Sequence, residues 1–287
     1  MKIVSISCVA RRLFLACAVA AVVFESPSTQ AANNIGVFFD LRFLKDQASP
    51  GSNPYVAFPD LNSGPSGQTN ATQISSPNGK FTGTLNPGNS GTSSASSFTI
   101  SNFTTYMAEL NSSGWTLTLD SNTPTPTPYT LTVDASAITD FGIPPAHISS
   151  GFQGATLPSG STNFSWSGPS DFDSIQLVVD NLTTASEHSY VRPNTDTSFT
   201  PPDPLTAGSY DVTLLYIKNI SDKITTTTPM NAQNQPLANW NGVTGAQEIV
   251  SDNVTFTVTP EPTSSAMLAI GGLIAMRRRR HHVTAKM

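Results

Sequence analysis

The sequence predicts an all-β protein: two antiparallel β-sandwich domains between an N-terminal signal helix and a short C-terminal hydrophobic helix. Three observations carry this. Apolar and polar residues alternate through much of the stretch from Asn33 to Thr259, the period of strands with one face on a core and one in water. Charged residues make up 11% of the 287, against roughly 25% in ordinary soluble domains. Ser, Thr, Asn, Pro and Gly are correspondingly abundant, as in chains built of strands and turns. Only one internal stretch has helical spacing.

Residues 1–31 read as a secretory leader. Lys2, Arg11 and Arg12 form a basic region, Leu13 to Phe24 an apolar stretch, and Thr29-Gln30-Ala31 places small residues where a signal peptidase inspects the chain. Cleavage is expected after Ala31, with Ala32 close behind. Both cysteines, Cys8 and Cys17, lie in this leader. The mature chain therefore has no thiol, which excludes disulfides, thiol catalysis and cysteine-ligated zinc.

The exported body opens with "IGVFFDLRFL", in which Ile35, Val37, Phe39, Leu41 and Phe43 share a face and Asp40 and Arg42 point the other way. "WTLTLD" puts Trp115, Leu117 and Leu119 on one face, and "YTLTVD" does the same for Tyr129, Leu131 and Val133. Between them "TPTPTP" has a proline at every second position, a stiff extended loop joining neighbouring strands. The one helix is expected in "NFTTYMAELNSS", capped by Ser101 or Asn102, with Phe103, Tyr106, Met107 and Leu110 at helical spacing and Gly114 ending it. Pro144 and Pro145 interrupt the pattern and set the expected domain boundary near 145, between a first sandwich over 32–145 and a second over 146–259.

In the second half Phe164 and Trp166 are expected inward on one strand and Ile175, Leu177 and Val179 on the next. Tyr210, Val212, Leu214 and Tyr216 follow on a third, and Val254, Phe256 and Val258 on the last. This spacing of short strands, with an early tryptophan (Trp166) and a tyrosine (Tyr210) after the turn Leu205-x-x-Gly208, resembles an immunoglobulin-like or fibronectin type III sandwich. The resemblance implies that Trp166 packs the core.

The tail from residue 260 to 287 combines Pro260-Glu261-Pro262, an apolar and glycine run of 11 residues from Ala266 to Met276, and the cluster Arg277, Arg278, Arg279, Arg280. The run is short of the roughly 20 residues that cross a bilayer as a helix, and the arginines hold the end of the chain on the cytoplasmic side. This three-part order resembles the PEP-CTERM sorting signal of Gram-negative bacteria. The resemblance implies transient inner-membrane anchoring, recognition by an exosortase that removes the tail near the tripeptide, and delivery to the cell envelope or an extracellular polysaccharide matrix. A plain C-terminal anchor is the alternative.

Eight of the 14 Lys and Arg lie near the two ends of the chain, which leaves residues 32–276 at a formal charge of −12. A body so acidic repels phosphate backbones, so no nucleic-acid partner is expected. Its two histidines, His147 and His188, have no His-x-x-x-His spacing or Gly-x-Ser-x-Gly motif beside them and read as solvated loop residues. Asp171 and Asp173 are weak calcium candidates, with Asp180 or Asp203 as further oxygen donors, and no cofactor is implied. For stacking on a sugar ring, Trp240 in the polar stretch "LANWNGVTG" is the first candidate, ahead of Tyr190 and Tyr55; Trp115 and Trp166 belong to the core. The expectation is an exported, non-enzymatic structural or adhesive protein. A carbohydrate-binding module acting through Trp240 is the alternative, and a secreted hydrolase comes third.

Overall fold

The computed structural model describes residues 35–47, 55–63, 70–86, 93–94, 100, 102–122, 124–139, 145–149 and 151–260. The leader with Ala31 and Ala32, the tail beyond Pro260 with Glu261, Pro262 and Arg277 to Arg280, and the helices expected in both lie outside the described residues. Among the described residues no helix is long and apolar enough to cross a membrane.

The chain is mostly strand, and its organising element is the last one. Strand β17 (Trp240–Thr259) runs for 20 residues. Its first half pairs in parallel with β1 (Ile35–Leu44), from Ile35↔Trp240 to Leu44↔Ser251. Its second half pairs antiparallel with β15 (Gly208–Asn219), from Asn219↔Gln247 to Gly208↔Val258. On either side the sheet continues through β2 (Tyr55–Ser63) next to β1, and through β12 (Ser174–Asn181) and β13 (Ser186–Pro193) next to β15. The short β10 (Thr156–Pro158) lies parallel to the end of β17. The expected boundary near 145 is thus bridged by main-chain hydrogen bonds: residues 35–44 and 240–251 belong to one sheet. It is bridged again by β8 (Val133–Asp134) against β16 (Thr225–Thr226). The prolines at 144 and 145 interrupt the sequence pattern without dividing the sheet, because the strands that pair across it come from opposite ends of the chain.

Two smaller sheets complete the layers. The first is β5 (Ser93–Ser94), β4 (Thr82–Leu85), β3 (Thr72–Ser75), β6 (Trp115–Leu119) and β7 (Thr127–Leu131), in that spatial order. It packs on the β1 side, where Phe39 meets Trp115 edge-on at 5.8 Å and Phe81 lies 6.5 Å from Trp115. Gly83 marks the close approach: a Cβ there would sit 1.8 Å from the carbonyl oxygen of Pro59 on β2, so a side chain at 83 would push β4 off β2. The second sheet is β14 (Ser198–Phe199), β11 (Phe164–Ser167) and β9 (His147–Ile148). It packs against the far half of β17, with Phe152, Phe164 and Phe256 in mutual ring contact at 5.0–6.1 Å.

Most of the inward residues read from the alternation are buried: Val37, Phe39, Leu41, Trp115, Leu117, Phe164, Ile175, Leu177, Val212 and Leu214 are fully enclosed. Strands β6 and β7 form the hairpin expected around "TPTPTP", paired Trp115↔Leu131 through Leu119↔Thr127. Pro128 is tolerated in β7 because β7 ends its sheet. The helix α1 (Phe103–Leu110) is capped by Asn102, whose side chain accepts from the Thr105 N–H at 3.2 Å. It stops at Leu110, before Gly114, because the Asn111 N–H already closes on the Met107 carbonyl. Glu109, a polar position in the helical pattern, is buried as well. Its carboxylate accepts from Ser76 Oγ and from the N–H (3.0 Å) and side-chain amide (2.5 Å) of Asn78, tying α1 to the β3–β4 turn. Burial raises the pKa of this carboxyl, but the three hydrogen bonds outweigh it and hold the group below its ordinary value.

Asp40 and Arg42, expected on a solvent face, are instead buried together. Arg42 Nη2 lies 2.5 Å from Asp40 Oδ2, and the guanidinium sits 5.1 Å from the Phe58 ring centroid. Strand β1 is an interior strand with a parallel neighbour, the setting in which both faces are covered. Two charges there are compatible with folding because they neutralise one another.

The aligned pairs of β17 also bring charge to the core side. Asp252 is fully buried, accepting from the Ile148 N–H at 2.7 Å and from the Gln47 side-chain amide. His147 Nδ1 stands 3.4 Å from the same carboxylate, within 3.2 Å of Lys45 Nζ and 3.1 Å of Gln47 Nε2. His147 is therefore a half-buried strand residue in a polar joint linking β1, β9 and β17, and not a solvated loop histidine.

Candidate functional site

The candidate site forms where the large sheet and the facing β14–β11–β9 sheet fail to cover each other. Strand β13 is the end strand of the large sheet. Its register, Leu177↔Tyr190, Val179↔His188 and Asn181↔Ser186, turns Tyr190, His188 and Ser186 toward the core side. The facing sheet has only three short strands. Ser186 and His188 consequently stay exposed and Tyr190 half-buried, whereas their partners Leu177, Val179 and Asn181 are buried. The segment from Pro201 to Thr206, on its way into β15, supplies the opposite wall. Between the walls lies a cavity of about 200 Å³.

The wall on β13 is aromatic. The rings of His188 and Tyr190 are 14° from parallel with centroids 6.4 Å apart. Tyr190 leans on Phe199 at 5.0 Å, and Phe199 is backed by the Arg192 guanidinium at 4.7 Å, itself held by Asp196 at 2.6 Å. The other surfaces are polar: Asp203, Thr206, Thr184 and Ser186, the last two hydroxyls 2.8 Å apart. The floor is fixed by Tyr210. Its hydroxyl donates to the Thr206 carbonyl at 3.0 Å and accepts from the Thr206 N–H at 3.1 Å and the Asn181 amide at 3.0 Å. A tyrosine bonded back to the backbone a few residues upstream is the contact that sets the corner of immunoglobulin-like sandwiches. Burial, helped by the charge of Asp203, pushes the Tyr190 hydroxyl above its ordinary pKa, so it remains a neutral donor. No hydrogen bond joins His188 to Ser186 or Asp203 among the described residues, and the Ser186 hydroxyl is engaged by Thr184. The serine, histidine and aspartate around this cavity are therefore not assembled as a nucleophile–base–orienter chain.

The other sequence candidates lie elsewhere. Trp240 is not an exposed loop platform. It is the first residue of β17, paired with Ile35 and half-buried against the core, and its indole N–H is enclosed without a partner among the described residues. Tyr55 belongs to an aromatic cluster with Phe43, Phe103 and Tyr106 at 4.8–5.6 Å. Asp171 is ion-paired with Lys218, and Asp173 accepts from the Asn219 N–H at 2.7 Å. Asp180 stands in register with Glu187 and Asp211, one residue along from Val179 and so on the other face of β12 from the cleft. Burial and the Asp180 charge push the Glu187 carboxyl up. Asp203 alone of the four aspartates reaches the cleft. No group of three metal-ligating side chains occurs among the described residues. A second hollow, of about 370 Å³, lies beside β7 and is lined by Thr130, Thr132, Thr227 and Met230 with no charged or aromatic side chain.

The sequence ranks Tyr190 behind Trp240 among the aromatics and presents His188 as a loop residue, because "SEHSYVRP" has too few apolar residues to announce a strand. The available signal was the alternation of His188 and Tyr190 itself. No protein-family model matches the sequence. No curated protein matches it either. Among solved structures, a two-domain fibronectin type III segment of chicken tenascin aligns with 61% of this chain and 89% of its own length, at 14% identity and a TM-score of 0.23.

Proposed function

We propose that this is an exported, non-enzymatic protein of the cell envelope or extracellular matrix of a Gram-negative bacterium, with a structural or adhesive role. In this reading a signal peptidase removes the leader after Ala31 or Ala32. The tail then anchors the chain transiently in the inner membrane until an exosortase-type enzyme processes it near Pro260-Glu261-Pro262. The two sandwiches, drawn mainly from 32–145 and from 146–259 and joined through β17, are the delivered product.

The single observation that carries the proposal is the ordered tail, a Pro-Glu-Pro tripeptide followed by an apolar run and four arginines. The end of the fold is compatible with it. Strand β17 finishes at Thr259, whose carbonyl accepts from the Ser159 N–H at 3.0 Å, and Pro260 is exposed immediately beyond. Cutting at the tripeptide would leave every described strand intact. The reading is tested by intact-mass spectrometry of the protein recovered from its native host by cell fraction. The expected species begins at Ala32 or Asn33, ends near Pro262, and is found outside the cytoplasm. Recovery of the whole chain from the cytosol, with Met1 and Arg277 to Arg280 still present, would overturn it.

A further inference from the structure

We infer that the cleft between β13 and the 201–206 segment is a binding subsite for one neutral pyranose unit of a saccharide, stacked on Tyr190 and His188 and hydrogen-bonded through Asp203. The inference deepens the adhesive part of the proposed role by naming the class of ligand, and it rests on that reading only for its biological setting.

The size of the cavity comes first. About 200 Å³ is the liquid volume of about seven waters at ≈30 Å³ each. That is below the usual span of drug-sized pockets, ≈300–1,000 Å³, and suits a single monosaccharide ring in a shallow cleft. The second consideration is the combination of surfaces. A pyranose has apolar C–H faces and a rim of hydroxyls. The cleft offers the matching pair: two aromatic rings within 14° of parallel, and a rim made of the Asp203 carboxylate and the hydroxyls of Thr184, Ser186 and Thr206. Neither ring is loose, since Tyr190 is held by Phe199 at 5.0 Å and the backbone beneath it is paired throughout with β12. A platform fixed beforehand loses little entropy when it binds.

Charge decides between neutral and acidic sugars. Asp203 is the one carboxylate on the rim, and residues 32–276 carry a formal −12, so a uronate would meet repulsion both locally and at long range. A purely cationic ligand would use the carboxylate and the aromatic faces but would leave the hydroxyl rim without function. The imidazole of His188 makes no hydrogen bond to a protein group among the described residues, which leaves its nitrogens available to a ligand hydroxyl.

Saturation-transfer NMR on the purified protein tests this, using the methyl pyranosides of glucose, galactose, mannose and N-acetylglucosamine as neutral probes, with glucuronate and choline as charged ones. Transfer is expected to at least one neutral pyranoside, strongest at its ring C–H protons, and to neither charged probe. Tyr190→Ala should weaken binding about ten-fold by removing the stacking face, while Tyr190→Phe should keep most of it. Asp203→Asn, at an exposed position that leaves the fold alone, should weaken it several-fold, so a misfolded Tyr190→Ala would not decide the matter. Absence of transfer to every neutral probe would overturn the inference, as would transfer unchanged in both Tyr190→Ala and Asp203→Asn, or preference for choline. None of these outcomes bears on tail processing, which intact mass reads separately.

Discussion

Replacing Tyr210 by Phe removes one oxygen and leaves the ring, which makes it a clean measure of what the hydroxyl at the base of the cleft contributes. The ring stays stacked on Phe256, 5.5 Å away and 9° from parallel, so little packing is lost. Three close hydrogen bonds disappear, one to the Thr206 carbonyl at 3.0 Å, one from the Thr206 N–H at 3.1 Å and one from the Asn181 amide at 3.0 Å, together with a longer contact to Thr206 Oγ1 at 3.3 Å. Thr206 is exposed, so water replaces its partners at modest cost, roughly 0.5–1 kcal/mol for each bond. Asn181 is 5% exposed, and its amide would be left buried without that acceptor, which costs about 1–3 kcal/mol. The sum is about 2–5 kcal/mol. For a body of this size each kcal/mol moves the melting temperature by about 2–4 °C, so a fall of about 4–20 °C is expected. Urea unfolding followed by tryptophan fluorescence should show a lower midpoint with unchanged slope. A loss below about 0.5 kcal/mol would refute the reasoning, because it would mean that the hydroxyl exchanges its three protein partners for water without penalty.

Two further perturbations test the rest of the structure. Trp115→Phe should destabilise by about 2–4 kcal/mol, because its indole N–H donates to the Leu110 carbonyl at 3.0 Å in a fully buried site. The same change at Trp240 should stay within about 1 kcal/mol, since it removes an enclosed N–H with no partner among the described residues; equal losses in urea unfolding would contradict this contrast. Glu109 gives a pH signature. Its folded pKa is depressed, so its contribution is complete above the ordinary carboxyl range and is lost as pH falls through the folded value. Against Glu109→Gln, the protein should be more stable by about 1–3 kcal/mol at pH 7, with the difference closing below about pH 4. A gap independent of pH would show that the carboxylate charge is not what holds α1 to the β3–β4 turn.

The parts of the fold that the sequence discloses are those where burial imposes a period. Strands β1, β6, β11, β12 and β15 are interior strands whose core-side residues are almost all apolar, and their faces can be assigned by counting. Strand β17 is legible only at its end, Val254, Phe256 and Val258. Its first half, "WNGVTGAQEIVSDN", carries Glu248 and Asp252 on the core side, in the positions where alternation calls for Leu or Val. Asp252 is held through Oδ2 by groups far off in the sequence, the Ile148 N–H and the Gln47 side-chain amide, and no local pattern records that. Strand β13 is hidden for the opposite reason. At the end of a sheet, facing a shorter layer, its inward residues Ser186 and His188 stay exposed and only Tyr190 packs against the edge of the core.

The same release from burial explains why a site arises there. Residues that fill a core are chosen by volume and hydrophobicity, and they leave no room for a second role. An overhanging edge strand keeps the rigidity of the sheet, through eight aligned pairs with β12, while its inward side chains escape that constraint. Function therefore concentrates where the strand signal is weakest, and Trp240 was misplaced by the converse: a polar neighbourhood in sequence that parallel pairing with β1 draws against the core. The tryptophan flanked by Asn239 and Asn241 is half-buried because of its pairing with Ile35, more than two hundred residues earlier. The plain sequence "SEHSYVRP" stands open at Ser186 and His188 because the facing layer of β14, β11 and β9 reaches the strand at Tyr190 and Arg192 through Phe199.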